Sequence, residues 1–115
     1  MLDQSKPVYQ RLRDIIAAGI LDGVYRDGDM LPSVRSLAAE HGANPLTVAK
    51  AYQSFQDEGL VIVKRGVGMF VAANAAKQLR SRLREEFLSL VWPPVAAQIR
   101  RLNIDPQSLI DQVTA

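Results

Sequence analysis

Lys64 and Arg65 stand side by side in the stretch VIVKRGVGMFV, with Gly66 directly after them. Two adjacent cations beside a residue that lets backbone approach closely suit contact with phosphates and with the narrow minor groove of a duplex. A basic loop tip is also a common solubilising feature, so the surrounding elements must decide its role. Catalytic chemistry has little to stand on. His41 is the only histidine. It sits beside Gly42 at a predicted helix end, where an imidazole serves as a partner for the helix dipole. With no cysteine and no second histidine, a transition-metal site is not expected. The serines have no histidine-based relay around them. Glu85 and Glu86 are neighbours on a predicted helix, so they point from different faces and form no acid/base pair. Gly66-x-Gly68 is too short for a dinucleotide fingerprint. The expectation is a non-enzyme with no cofactor.

At 115 residues the chain suits one compact domain with a small appendage. A hydrophobic content of 48% and a charged content of 23% are those of a soluble globular protein. The N-terminal MLDQSKPVYQ lacks the apolar run of a signal peptide, and no apolar segment is long enough for a transmembrane helix. The expected location is cytoplasmic, with no membrane partner. Residues 1–74 carry eight basic and eight acidic side chains, so the formal +2 comes wholly from the six basic and four acidic groups of residues 75–115. A nucleic-acid role must therefore rest on where charges sit, because the total supplies no strong basic balance.

The elements that place these cations follow from local signals. Residues 7–22 read as a first helix, with Ser5 as cap and Pro7 in the first turn. Val8, Leu12, Ile15 and Gly19 form its stripe, with Ile16 and Ile20 beside it. Gly23 ends it, and the turn-rich YRDGDM leads to Leu31-Pro32. Ser33 caps a short second helix that runs to His41, and Gly42 stops it in a left-handed conformation. Leu37 and Ala38 face inward. Arg35 lies in the first turn, where a positive side chain opposes the dipole and gains nothing for stability. After the short link Gly42-Ala43, Asn44 caps a third helix with Pro45 in its first position, ending at Gly59. Val48, Ala51, Tyr52 and Phe55 form its buried stripe, while Leu46, Lys50, Gln53 and Asp57 face out. Leu46 is the odd member of that outer face, and a thymine methyl is one contact open to it.

Two helices joined by a tight link, the second with a polar outer face, can enter a major groove by the N-terminal half of that second helix. The same segment read alone is equally a plain three-helix core. The hairpin after it shifts the balance. Leu60 to Val63 is a β-branched run, 64–68 a turn, and Met69 to Val71 a returning strand. The fold expected is mainly α with a small β-hairpin: a winged helix-turn-helix over residues 7–74, followed by a helical region over 75–115. In that tail, Ala75 to Trp92 reads as a helix with Leu79, Leu83, Phe87 and Leu90 on one stripe. Pro93-Pro94 should kink or break it. Further helical stretches are expected over Val95–Leu102 and from Asp105-Pro106 to about Val113, the last burying Leu109, Ile110 and Val113. An appendage of about 40 residues holds little core, so its stripe is expected to pack against a second copy of the chain. Folding back on the winged helix is the alternative. Trp92, Phe87 and the kink at Pro93 could also line an inter-subunit pocket for a small-molecule effector, although core packing accounts for both aromatics.

LPSVRSLAAEHGANPLTVAKAYQSFQDEGLVIVKRGVGMFV resembles the DNA-binding domain of the GntR superfamily of bacterial transcriptional regulators. The likeness covers about residues 7–74, and LPSxR, the run from Gly42 to Tyr52 and RGxGxFV are its most specific parts. The Asn-Pro pair and the short helical tail are similar to the YtrA-type subgroup. The resemblance implies a homodimeric transcriptional repressor bound to a palindromic double-stranded DNA operator. By position it implies that Arg35 contacts phosphate or base, that Thr47 and Lys50 lie in or beside the major groove, and that Arg65 and Gly66 form a wing tip at the minor groove. Ser33, Asn44, Leu46 and Lys64 complete the expected DNA-facing set. Pro45 and Ala49 stand where some members of the superfamily carry base-reading arginines, so those contacts do not transfer. A winged helix used only for protein interaction is the alternative function, kept open by the neutral charge of residues 1–74.

Overall fold

The computed structural model describes residues 6–114, so the expected Ser5 cap lies outside the described residues. Helix α1 spans Val8–Leu21, α2 Val34–His41 and α3 Pro45–Asp57; strands β1 Val61–Lys64 and β2 Gly68–Val71 come next, then α4 Ala75–Glu86, a π-helical turn Phe87–Val91, α5 Trp92–Arg101 and α6 Pro106–Thr114. The chain divides within α4 into two compact units, residues 1–80 and 81–115.

The first unit is built as the periodicity predicts, with adjustments. On α1 the buried stripe is Leu12, Ile16, Gly19 and Ile20, while Val8 is exposed and Ile15 half-buried. Gly19 stays on the stripe against the Tyr25 ring, where a Cβ would lie 2.6 Å from that side chain. On α3, Val48, Ala51, Tyr52 and Phe55 are all buried, and they join Leu37 and Ala38 of α2 in one core. Burial of that size contributes roughly 1.5–3 kcal/mol for each large side chain.

The hairpin pairs antiparallel, with Val61 opposite Val71 and Lys64 opposite Gly68. The amide of Val67 donates to the Lys64 carbonyl at 2.9 Å. Gly66 takes a φ of 77°, the left-handed value that the third position of a type II turn requires. The turn-rich segment before α2 proves to be ordered against the other edge of β2. Met30 bridges Phe70, and the Leu31 and Val71 amides donate to the Met69 and Asp29 carbonyls at 2.8 and 2.9 Å. Asp27 accepts the Asn74 amide at 2.8 Å, placing a carboxylate at the start of α4, where the helix dipole favours it.

The second unit differs from expectation. None of its described residues is buried. Leu109 is half-buried, Ile110 is exposed and Val113 is 85% exposed, because a single copy of this short segment has no core to cover them. Leu79, expected on the same stripe as Leu90, is 1% exposed and belongs to the core of the first unit. Pro93 and Pro94 do not end the helical path. They lack the N–H groups that would satisfy the carbonyls four residues back, and the chain meets this with the π turn. The Trp92 amide donates to the Phe87 carbonyl, five residues back. The prolines fall in the first turn of α5, where a missing donor costs little. The extra residue rotates the downstream helix by roughly 100°, so the spacing from Leu83 and Phe87 to Leu90 does not hold as one straight stripe. No described helix is long and apolar enough to cross a membrane.

Candidate nucleic-acid interface

Helix α2 begins where Ser33 Oγ accepts the Ser36 amide at 3.0 Å, and it ends at Gly42 with a φ of 60°. The Ala43 amide closes that end on the Ala38 carbonyl at 2.9 Å, so the link to α3 is short and fixed. Asn44 Oδ1 then accepts the Leu46 amide at 2.8 Å, and Pro45 opens α3. The acceptor oxygens of both caps are thus used inside the fold. The hydroxyl hydrogen of Ser33 and the amide hydrogens of Asn44 remain for an outside partner.

Tyr52, on the buried side of α3, donates to the Pro32 carbonyl at 2.6 Å, one residue before the α2 cap. Burial raises the phenol pKa, with Tyr25 and then Glu40 adding to the rise, so the hydroxyl keeps its proton and remains a donor. This bond ties the outward-facing helix to the segment that carries Arg35. Tyr52→Phe is expected to cost about 1 kcal/mol in urea denaturation, because the Pro32 carbonyl loses its donor.

Arg35 is exposed in the first turn of α2, Lys50 on the outer face of α3, and Arg65 at the wing tip. Among the described residues none of these three makes an ion pair or hydrogen bond. Other cations of the first unit are engaged. The Arg13 guanidinium donates to Ser54 Oγ, pairs with Glu58 at 2.8 Å and lies 4.4 Å from the centre of the Phe55 ring. Lys6 pairs with Asp14 at 3.0 Å. Lys64, expected at the tip beside Arg65, is instead the last residue of β1, with its ammonium 4.5 Å from the centre of the Phe70 ring. Lys64 is the first position of the turn and still pairs with Gly68, and the aromatic face holds its ammonium back, so Arg65 is the cation at the tip itself.

The acidic groups show the complementary pattern. Asp14, Asp27, Asp29, Asp57 and Glu58 each accept a hydrogen bond within the fold. Residues 1–74 are formally neutral, yet these five acids are held by internal donors, while Arg35, Lys50 and Arg65 on α2, α3 and the wing have no ion-pair or hydrogen-bond partner among the described residues. A cavity of about 340 Å³, lined by Met30, Val34, Tyr52, Val67, Gly68 and Met69 among others, shows that the start of α2, the third helix and the wing adjoin.

The remaining predicted positions divide between the two units. Thr47 is half-exposed in the first turn of α3, Leu46 is 70% exposed, and Gly66 is exposed at the wing tip. Leu83 is half-buried, while Phe87 and Leu90 are exposed in the second unit. Sequence reasoning missed the Arg13 clamp. Its partners lie 41 and 45 residues away, and no local pattern announces them. Among the described residues no group of histidine and acidic side chains could hold a metal ion.

Comparison with known proteins agrees with this geometry. Residues 5–71 match the family described as bacterial regulatory proteins, gntR family. The chain is 40% identical over 75 residues to the HTH-type transcriptional repressor YtrA of Bacillus subtilis, a stretch covering 65% of this chain and 58% of that repressor. It therefore spans less than two thirds of that relative's length. Among solved structures, a GntR family transcriptional regulator from Listeria monocytogenes superposes with a TM-score of 0.77 at 27% identity, covering 98% of this chain and 97% of that one. The DNA-binding domain of AraR, solved in complex with operator ORX1, superposes with a TM-score of 0.57 at 25% identity, covering 63% of this chain and 87% of that one.

Proposed function

The chain belongs to the gntR family of bacterial regulatory proteins, and from that premise we propose that it is a cytoplasmic transcriptional repressor that binds a palindromic operator as a homodimer. The observation that carries the reading is the segregation of charge. Arg35, Lys50 and Arg65 have no ion-pair or hydrogen-bond partner among the described residues, and they sit on the three elements a winged helix brings to DNA. In this account α3 enters the major groove by its N-terminal half, Arg35 and Lys50 neutralise phosphates beside it, and the Arg65–Gly66 tip reaches the minor groove. Thr47 and the free hydrogens of Ser33 and Asn44 add polar contacts. Lys64 supports the wing and lies close enough to add to its field.

Residues 7–74 would form the DNA-binding part and 75–115 the dimerisation part. The second unit supports this division, since Phe87, Leu88, Leu90, Val91 and Trp92 are all exposed and none of its described residues is buried. An exposed apolar surface of that extent on so small a segment is stabilised by covering it, and a two-fold partner is the simplest cover for an operator with two-fold symmetry. Two copies of α3 would then meet successive major grooves roughly 34 Å apart.

Light scattering tests the dimer. The native chain is expected to show twice its 12.7 kDa mass at micromolar concentration. Leu90 is 71% exposed in one copy. Leu90→Asp should halve the mass, because a charge there would be buried between two copies. A native chain that runs as a monomer would contradict the dimeric part of the proposal. A mutant that keeps the doubled mass would remove Leu90 from the interface.

A further inference from the structure

On the reading that α3 enters the major groove, we propose that Leu46 recognises the 5-methyl group of thymine, so that operator recognition by this protein depends on that methyl. The first observation is the position and exposure of the side chain. Leu46 is the second residue of α3, its amide held by the Asn44 cap at 2.8 Å, and its side chain is 70% exposed. Nothing in the core needs it. Val48, Ala51, Tyr52 and Phe55 already supply the buried stripe of the helix.

The second observation is what the same face lacks. Direct reading of guanine or adenine uses a bidentate arginine, lysine, asparagine or glutamine. The first turn of α3 offers Pro45, Leu46, Thr47 and Val48, with Ala49 exposed beside them, and none of these can make a bidentate contact. Gln53, one turn beyond Ala49, donates its amide to Asp57 at 2.9 Å and is held along the helix. Lys50 lies one turn behind Leu46 and is assigned to phosphate. The leading edge of the helix is thus apolar and methyl-rich, and the one base-edge group in the major groove that matches it is the thymine methyl. Burying a methyl against an isobutyl side chain corresponds to about a fourfold gain in binding for each such contact.

The test uses the full chain and the duplex it selects from a random pool. Each thymine of that duplex is replaced in turn, symmetrically in both half-sites, by deoxyuridine, which removes the methyl and leaves base pairing intact. Native protein is expected to bind about ten- to twentyfold more weakly at one thymine position per half-site, the product of two fourfold losses. Leu46→Ala should bind the thymine and uracil duplexes within twofold of each other, with an unchanged urea midpoint because the side chain carries no core packing. Native protein that binds every uracil duplex within twofold of the thymine duplex overturns the inference while leaving operator binding intact. Full discrimination retained by Leu46→Ala overturns the assignment to that residue. If no duplex is selected at all, the proposed function falls and this inference falls with it.

Discussion

Replacing Arg35 and Arg65 together with alanine is expected to weaken operator binding by about a hundredfold or more while leaving the urea midpoint unchanged. Each guanidinium is exposed, and neither has a partner among the described residues, so the folded chain loses nothing when they go. In the complex Arg35 would make charge-assisted bonds to phosphate beside the major groove, and Arg65 would make them to the phosphates that flank the minor groove it reaches, of about 1.5–3 kcal/mol apiece. The double variant should also flatten the plot of log affinity against log salt by about 1.8, from roughly 0.9 for each neutralised phosphate. Arg13→Ala is the control. It removes the clamp on Ser54, Glu58 and the Phe55 ring, so it should lower stability and leave the salt slope alone. A mobility shift at several salt concentrations separates the two behaviours. Affinity and slope unchanged in the double variant would remove both arginines from the interface.

Phe55→Ala is expected to cost about 3–5 kcal/mol, out of a total stability of about 5–15 kcal/mol for a domain of this kind. Phe55 is fully buried on α3 and lies beneath Arg13 of α1, so its ring joins α3, the helix proposed to meet DNA, to the helix behind it. Removing it opens a cavity at the junction that fixes the direction of α3. Urea denaturation should show the loss directly, and operator binding should fail in step with folding. A variant with near-native stability would mean that the packing of α1 against α3 relaxes to fill the space, and that the ring does not hold the helix in place.

The parts of the fold legible in the sequence are those written in local chemistry. Ser33, Gly42 and Asn44-Pro45 set helix ends within a few residues of themselves, and the structure has each cap where the residue type demands it. The stripe of Val48, Ala51, Tyr52 and Phe55 follows from helical spacing alone. The β-branched run and the glycine at the third position of a tight turn specify the wing. The features that escaped are non-local. The pairing of Met30 and Leu31 with β2 joins a turn-rich segment to a strand about forty residues on, and its composition gives no sign of strand character. Whether a cation is free or engaged was equally hidden. Arg13 and Arg35 look alike in the sequence, and only the fold brings Ser54, Glu58 and Phe55 to one of them. Lys64 and Arg65 are adjacent, yet strand pairing turns the first over Phe70 and leaves the second at the tip. In the tail, periodicity located helices but not their cover. Leu79 entered the first core, and the apolar groups beyond it have nothing in one copy of the second unit to bury them.

Selection of bound duplexes from a random-sequence pool by the full chain, followed by binding across a salt series, tests the central claim most directly. A palindromic motif with half-site centres about 10 base pairs apart is expected, bound with an affinity that falls steeply as salt rises. Recovery of no motif, together with binding indifferent to salt, would contradict it and favour a winged helix that meets only other proteins.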